Sequence, residues 1–306
     1  MPTHTLPLAA IDAGSNGIRL LLASLHQDGT VHIHDQKRYP VRIGHDAFQT
    51  GILCPDTLSQ VTDAFIQIRR RLDRHQVQRQ HFRAIATSAL RHTRNAQELI
   101  SRVELLTHIP IEIISAQEEA ELGFLAISKI HDLKNKNAMI IDLGGGSLEL
   151  TTAARGTINQ SISLPLGPVR ILSRQEQTPG VSLGKILAPH LERVQEIVHE
   201  TRPDIALATG GNIKTMLQLS RQLYQNPCPD GFSFEHTQRL IQTLEPMSIA
   251  QRIGQLGLRT DRADLILIAT QVIHQIMKAT HTTRFTLSQA GLKEGVIYAL
   301  AQAFKK

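Results

Sequence analysis

The sequence predicts an α/β chain built from two copies of one domain, and three observations predict it. The length of 306 residues favours two domains over one. Short apolar segments alternate with turn residues and then with helical stretches, the pattern of a layered, partly parallel sheet. The third observation is an internal repeat. The run Ile11–Leu20 matches Ile141–Leu150 at an offset of 130 residues, sharing Ile, Asp, Gly and Leu. Asp28–Val31 then matches Arg155–Ile158 at 127, and Ala84–Ser88 matches Ala206–Gly210 at 122. Three collinear matches with a slowly drifting offset predict two copies of one unit.

In chain order, each copy opens with a short apolar strand, Leu8 to Ile11 or Ala138 to Ile141, that ends in an acid and a glycine turn. A second strand follows at once, Ile18 to Ser24 or Leu148 to Ala154, and the turns at Asp28-Gly29 and Arg155-Gly156 lead into a third. A later strand, Arg83 to Thr87 or Ile205 to Thr209, runs into a helix. Ile111 to Ile114 and Arg284 to Leu287 are expected to close the two sheets. From about Leu172 to Arg202 and from Phe234 to Ala279 apolar residues recur at i, i+3 and i+4, so the longer second copy carries extra helices. The polar stretch Lys134–Asn137 is the expected linker.

Composition narrows the function classes. Hydrophobic residues form 41% of the chain, which excludes disordered and fibrous classes. No run of 18 apolar residues offers a membrane span and the N-terminus shows no signal-peptide pattern, so the expected setting is the cytoplasm. The two cysteines, Cys54 and Cys228, each adjoin a proline and suit a reducing compartment. Lys and Arg number 33 against 27 Asp and Glu, and the whole excess of +6 falls after Ile127. A polyanionic ligand explains that excess, as does an uneven surface. Eleven aromatics and no Trp disfavour base-stacking nucleic-acid modules. His32 and His34 share a strand face, but no zinc spacing is present, and Arg69–Arg71 with Arg74 read as a solvated helix face.

The glycine turns carry the chemistry. Gly144, Gly145, Gly146 and Ser147 join two strands, so they form neither a dinucleotide fingerprint nor a Walker loop. Their backbone N–H groups and the Ser147 hydroxyl can cup an anion. Asp142 before the turn and Glu149 across it are placed to hold a hydrated Mg²⁺. The first copy repeats this design from Asp12 through Ser15 and Asn16. A third turn, Gly210, Gly211 and Asn212, ends a strand and opens a helix, where an anion is favoured and would explain Lys214 in the first turn. Tight hairpins that merely need glycine would leave the same pattern. Ser115 and Glu118 form a capping box that occupies Glu118 and leaves Glu119 the freer carboxylate, a candidate base for water. Arg91, just past a strand end, is a further anion candidate.

Six motifs in order resemble the exopolyphosphatase/guanosine pentaphosphate phosphatase (Ppx/GppA) family. They are Asp12–Asn16, Ala86–Arg91, Ile114–Ala120, Asp142–Glu149, Thr209–Asn212 and Ala290–Gly295, and they span nearly the whole chain. The resemblance implies two ribonuclease-H-like domains of the actin-like ATPase superfamily with the active site in the cleft between them. The first domain would cover 1–127 and the second 128–290, with a terminal helix from about 291 to 306 packing back on the first. It implies Glu119 as catalytic base, Arg91 and the loops at Ser15–Asn16, Gly144–Ser147 and Gly210–Asn212 as phosphate binders, and Asp142 with Glu149 as Mg²⁺ organisers. Gly17 stands where the family usually has Ser, Ala116 where it has Gly and Lys293 where it has Arg; Gly17 is expected to loosen the first loop. The additional C-terminal domain of longer members is not in this sequence. The expected partner is inorganic polyphosphate, with guanosine penta- or tetraphosphate as the alternative and a homodimer left open. A non-catalytic alarmone-binding regulator and a phosphotransferase of the same superfamily are the readings from other classes.

Overall fold

The computed structural model describes residues 5–224 and 230–304, so Cys228 lies outside the described residues. The chain divides into two compact units, 1–127 with 290–306, and 128–289.

In the first unit β1 (Leu6–Gly14), β2 (Gly17–Leu25) and β3 (Val31–Tyr39) form an antiparallel meander. Helices α1 (Ile43–Gln49) and α2 (Pro55–Arg74) follow, then β4 (Phe82–Ala86), α3 (Ser88–Arg91), α4 (Ala96–Thr107), β5 (Ile111–Ile113) and α5 (Ala116–Ile130). The strand order is β3-β2-β1-β4-β5, with β4 and β5 parallel to β1. Strands β1 and β2 bury both faces, which is why they read as nearly unbroken apolar runs. Alternate residues sort to the two faces. Ile11, Leu20 and Leu22 meet Phe65 and Ile68 of α2 and Leu99 of α4, while Leu8, Ala10 and Leu21 meet Leu122 of α5. Helix α2 is built for this, with Pro55 in its first turn, Arg71 and Arg74 in its last, and a buried stripe through Leu58, Val61, Phe65, Ile68 and Leu72. Arg70 and Arg74 are exposed as expected, whereas Arg69 and Arg71 are only partly so. Arg69 bonds Asp73 at 2.6 Å, and Arg71 bonds Asp35 at 2.5 Å.

In the second unit β6 (Asn137–Leu143), β7 (Leu148–Ala154) and β8 (Thr157–Leu164) repeat the meander. Then come α6 (Pro168–Gln177), α7 (Leu183–Thr201), β9 (Ile205–Thr209), α8 (Gly211–Tyr224), β10 (Gly231–Ser233), α9 (Phe234–Leu244), α10 (Ile249–Leu256), α11 (Thr260–Ala263), α12 (Ile266–Ala279) and β11 (Arg284–Leu287). The order β10-β11-β9-β6-β7-β8 matches the first sheet strand for strand, with β10 added. The repeat reaches even the irregularities. A β-bulge sits at Leu22/Ala23 in one copy and at Thr152/Ala153 in the other, again 130 residues on. The final helix, α13 (Leu292–Ala303), belongs to the first unit and buries Leu292, Val296 and Ile297 beside Leu8 and Leu21.

Three expectations are corrected. Arg284–Leu287 does not close its sheet, because β10 pairs antiparallel along its outer side. Lys134–Asn137 is not the linker: the division falls at Ile127/Ser128, inside α5, and Asn137 starts β6 with its side chain bonded to the Thr201 carbonyl at 3.0 Å. The first added helical stretch starts earlier, at Pro168, and breaks at Thr178–Ser182. The rings of His32 and His34 neighbour those of His26 and His75 respectively. Among the described residues no helix is long and apolar enough to cross a membrane.

Candidate active site

In the first unit the candidate residues gather at the carboxyl ends of parallel strands, the end where open α/β sheets bind ligands. Ala13 is the register partner of Ala86, and Ala86 accepts from the Ile114 N–H at 3.1 Å, so three strand ends are tied together. From those ends come Ser15 and Asn16, both buried, Arg91 on the one-turn helix α3, and Glu119 in the first turn of α5. The backbone of Ser15 is fixed by a bond from the Gly44 N–H at 2.8 Å.

Arg91 joins two of these groups directly. One guanidinium nitrogen bonds the Ile114 carbonyl at 2.7 Å and another bonds Glu119 Oε2 at 2.9 Å. The Glu119 side chain is only 11% exposed, so this charge-assisted bond fixes its direction. The sequence reading of the glutamate pair is corrected here. Ser115 Oγ does cap the Glu118 N–H at 3.1 Å, but the Glu118 carboxylate lies 2.5 Å from Arg83. Burial works against the Arg83 cation, yet its bonds to Glu118 and Glu112 outweigh it and hold its pKa above the ordinary guanidinium value. Glu119 is therefore not the freer carboxylate; it is the more enclosed one, and paired.

Gly17 also departs from expectation. It adopts φ +149, and Arg38 lies where a side chain would stand, donating to the Asn16 carbonyl. A cation braces the first loop from outside, so the missing Ser does not leave it loose.

In the second unit the equivalent strand ends carry Asp142, Thr209 and the two glycine turns, and Asp142 and Thr209 are register partners. The turn Gly144–Ser147 is seated on the start of α6. Val169 N–H bonds the Gly145 carbonyl at 2.8 Å and Arg170 Nε bonds the Gly146 carbonyl at 2.7 Å. Gly167 approaches so closely that a Cβ there would overlap the Gly145 and Gly146 backbone. Ser147 is buried. Gly210, Gly211 and Asn212 open α8 as expected, with Asn212 1% exposed. Lys214 is the outlying member: it is exposed, and its Nζ lies 3.4 Å from the Gln289 carbonyl.

Asp142 and Glu149 stand directly opposite each other across β6 and β7. Opposed like charges on one sheet face are unfavourable without a cation. In the first copy the same pair of positions holds Asp12 and Arg19, bonded at 2.8 Å. One copy thus answers its carboxylate with a protein cation, and the other places a second carboxylate there. Glu149 is 4% exposed and accepts from Ser163 Oγ at 2.9 Å, which orients it. Two carboxylates are a sufficient protein contribution for Mg²⁺, which keeps waters and takes phosphate oxygens. Among the described residues no group of three or more His, Cys, Asp and Glu is placed to hold a metal.

Sequence reasoning missed Arg262. It is 7% exposed, bonds Asn212 Oδ1 at 2.5 Å, and lies against Gly211, where a Cβ would meet its guanidinium. It occupies the last turn of the four-residue helix α11, an ordinary place for a cation, so no local pattern sets it apart. Arg170 and Arg38 were missed likewise.

The family model described as the Ppx/GppA phosphatase family matches residues 23–304. Exopolyphosphatase 1 of Mycobacterium tuberculosis is 26% identical over 307 residues, covering 95% of this chain and 87% of its own. Exopolyphosphatase 2 of the same organism is 26% identical over 323 residues, covering 96% and 98%. An exopolyphosphatase structure from Cytophaga hutchinsonii superposes with TM-score 0.88 at 24% identity, covering 97% of this chain and 98% of its own. The Aquifex aeolicus Ppx/GppA member gives TM-score 0.76 at 22% identity over 99% and 100%.

Proposed function

The chain belongs to the Ppx/GppA phosphatase family, and from that premise we propose that it is an exopolyphosphatase, hydrolysing the terminal phosphoanhydride bond of inorganic polyphosphate to release phosphate. The observation that carries this reading is the enclosed Arg91–Glu119 pair at a set of strand ends that also present Ser15 and Asn16. Phosphoryl transfer asks little covalent chemistry of a protein; it asks for a positioned water and compensated charge.

Glu119 supplies the first. Its carboxylate, held by Arg91, orients a water for in-line attack on the terminal phosphorus and accepts its proton. Arg91 Nη2 faces the same carboxylate, so a phosphoryl group arriving there meets a cation already in place. In the first unit the Ser15–Asn16 loop offers backbone and hydroxyl donors to non-bridging oxygens, and within the second unit the Gly144–Ser147 and Gly210–Asn212 turns offer donors of the same kind. Asp142 and Glu149 are the residues that would hold Mg²⁺, which when bound supplies further neutralisation of phosphate charge. A reducing cytoplasmic setting belongs to the same proposal, and the low count of two cysteines suits it.

The test is phosphate release with Mg²⁺ from long polyphosphate, short polyphosphate and guanosine pentaphosphate, measured side by side. Glu119→Gln keeps the shape of the site and is expected to slow release by roughly 10²–10⁴-fold while polyphosphate binding persists. Full turnover by that variant would refute the base. Binding of guanosine tetraphosphate with no phosphate released from any of the three would favour a non-catalytic regulator instead.

A further inference from the structure

Beyond the Gly210–Asn212 turn, α8 borders a groove of about 510 Å³ whose lining the chemistry above does not use. Lys214, Gln218 and Arg221 line it from α8, Gln289 from beyond β11, and Leu217 with Leu287 supply its apolar surface. Positions 214, 218 and 221 follow at +4 and +3, so they share one helix face. Two turns separate the cations, about 10 Å along the axis. Among the described residues no acid lines the groove, and five side chains besides the leucines, Lys214, Gln218, Arg221, Gln222 and Gln289, offer N–H donors. The leucines give the long basic stems an apolar surface to lie along. Lys214 is anchored to the groove edge by its contact with the Gln289 carbonyl at 3.4 Å.

We propose that this groove is a distal subsite for the polyphosphate chain, gripping internal phosphates through Lys214, Gln218 and Arg221 and favouring long chains over short ones. The proposal rests on the exopolyphosphatase reading for its substrate class. A regularly repeating anion matches cations and amides spaced along a helix. Among the described residues no aromatic ring lines the groove to stack the bases of a nucleic acid. A short substrate held at the Gly210–Asn212 turn does not span the two helical turns to Arg221, so the benefit should appear only when the chain is long.

The test is equilibrium titration with long-chain polyphosphate and with tripolyphosphate, in EDTA at fixed salt. Four proteins are compared: wild type, Arg221→Glu, Gln218→Glu and Lys185→Glu. Lys185 is exposed in the first turn of α7 and outside the groove, so its reversal changes net charge as much as the Arg221 reversal does. Arg221→Glu should weaken long-chain binding about tenfold or more and tripolyphosphate binding less than about twofold, with Gln218→Glu in the same direction and Lys185→Glu within about twofold of wild type. Equal long-chain binding by wild type, Arg221→Glu and Gln218→Glu overturns the subsite. So does an equal loss in Lys185→Glu, which would mark plain net charge, and so does single-stranded RNA competing as tightly as polyphosphate. Phosphate release is assayed in parallel with Mg²⁺. If wild type releases none, the hydrolase reading fails, and the binding comparison still decides the groove.

Discussion

Single side chains decide whether this site is poised, and the glutamate pair shows how far a sequence can foresee that. Capping logic singled out Glu119 over Glu118 because Ser115 and Glu118 sit three apart before a helix. The choice stands as the proposal, but its physical reason changed: Arg83 engages Glu118, and Arg91 holds Glu119. Both arginines lie about 30 residues upstream, beyond anything a local motif can express. Arg262 was hidden for the same reason, since its partner Asn212 is 50 residues away. Its removal should be informative. Arg262→Leu strands the Asn212 carbonyl oxygen in a buried place, and leaving a buried polar atom unsatisfied costs about 1–3 kcal/mol. The expected outcome is a lower melting temperature together with a raised KM for polyphosphate. Arg262→Lys keeps the charge without the planar fork and should recover stability more than KM. A variant set with unchanged KM would show that Arg262 only packs.

At the scale of elements, what was legible was periodic and what was not was relational. The strands announced themselves by apolar runs ending in glycine turns, and the two copies announced each other. Strand β10 was invisible because Gly231–Ser233 carries a single apolar side chain, and its place is set by pairing with β11. The Lys134–Asn137 stretch looked like a linker because it is polar, whereas the Asn137 amide group is committed to Thr201. Close approaches of backbone to backbone are equally silent in a sequence. Gly295 of α13 faces the Leu122 carbonyl of α5 so closely that any Cβ would overlap it. Gly295→Ala should therefore push α13 off its seat, with Leu292, Val296 and Ile297 partly lifted from the core. Overpacking of this kind typically destabilises by about 1–3 kcal/mol. Thermal melting and amide exchange in α13 and α5 would read it, and a wild-type melting curve would sink the argument. Gly167→Ala makes a contrasting case, since it strikes the Gly145–Gly146 turn. It should depress phosphate release more than its loss of stability accounts for.

For the molecule as a whole, the +6 imbalance and the 15 histidines point to pH as a control on stability. Burial pushes the pKa of His81, His131, His190, His236 and His274 below the ordinary 6.5. The environments explain this in part. His274 stacks on Phe234 with ring centroids 4.3 Å apart and shares a bond with Thr237, and His81 meets the Phe304 ring edge at 5.0 Å. Below 6.5 the unfolded chain therefore binds protons that the folded chain refuses, so stability must fall with pH there. The contribution is complete above 6.5 and is lost as pH drops through the depressed folded values. The lowered carboxylates, Asp28, Asp35 and Asp46, obey the same sign but start from 3.8, so they act only in stronger acid. Four of the five histidines belong to the second unit and one to the first. Between about pH 7.5 and pH 5.5 the melting temperature should fall by roughly a few degrees, and any separately resolved transition of the second unit should fall further. Added protons also raise a net charge that is already positive, so self-repulsion acts in the same direction and salt should blunt that part alone. Calorimetry at the two pH values, each at low and high salt, separates the two effects. A melting temperature that stays level or rises on acidification would show that these buried imidazoles protonate as readily in the folded chain as in the unfolded one.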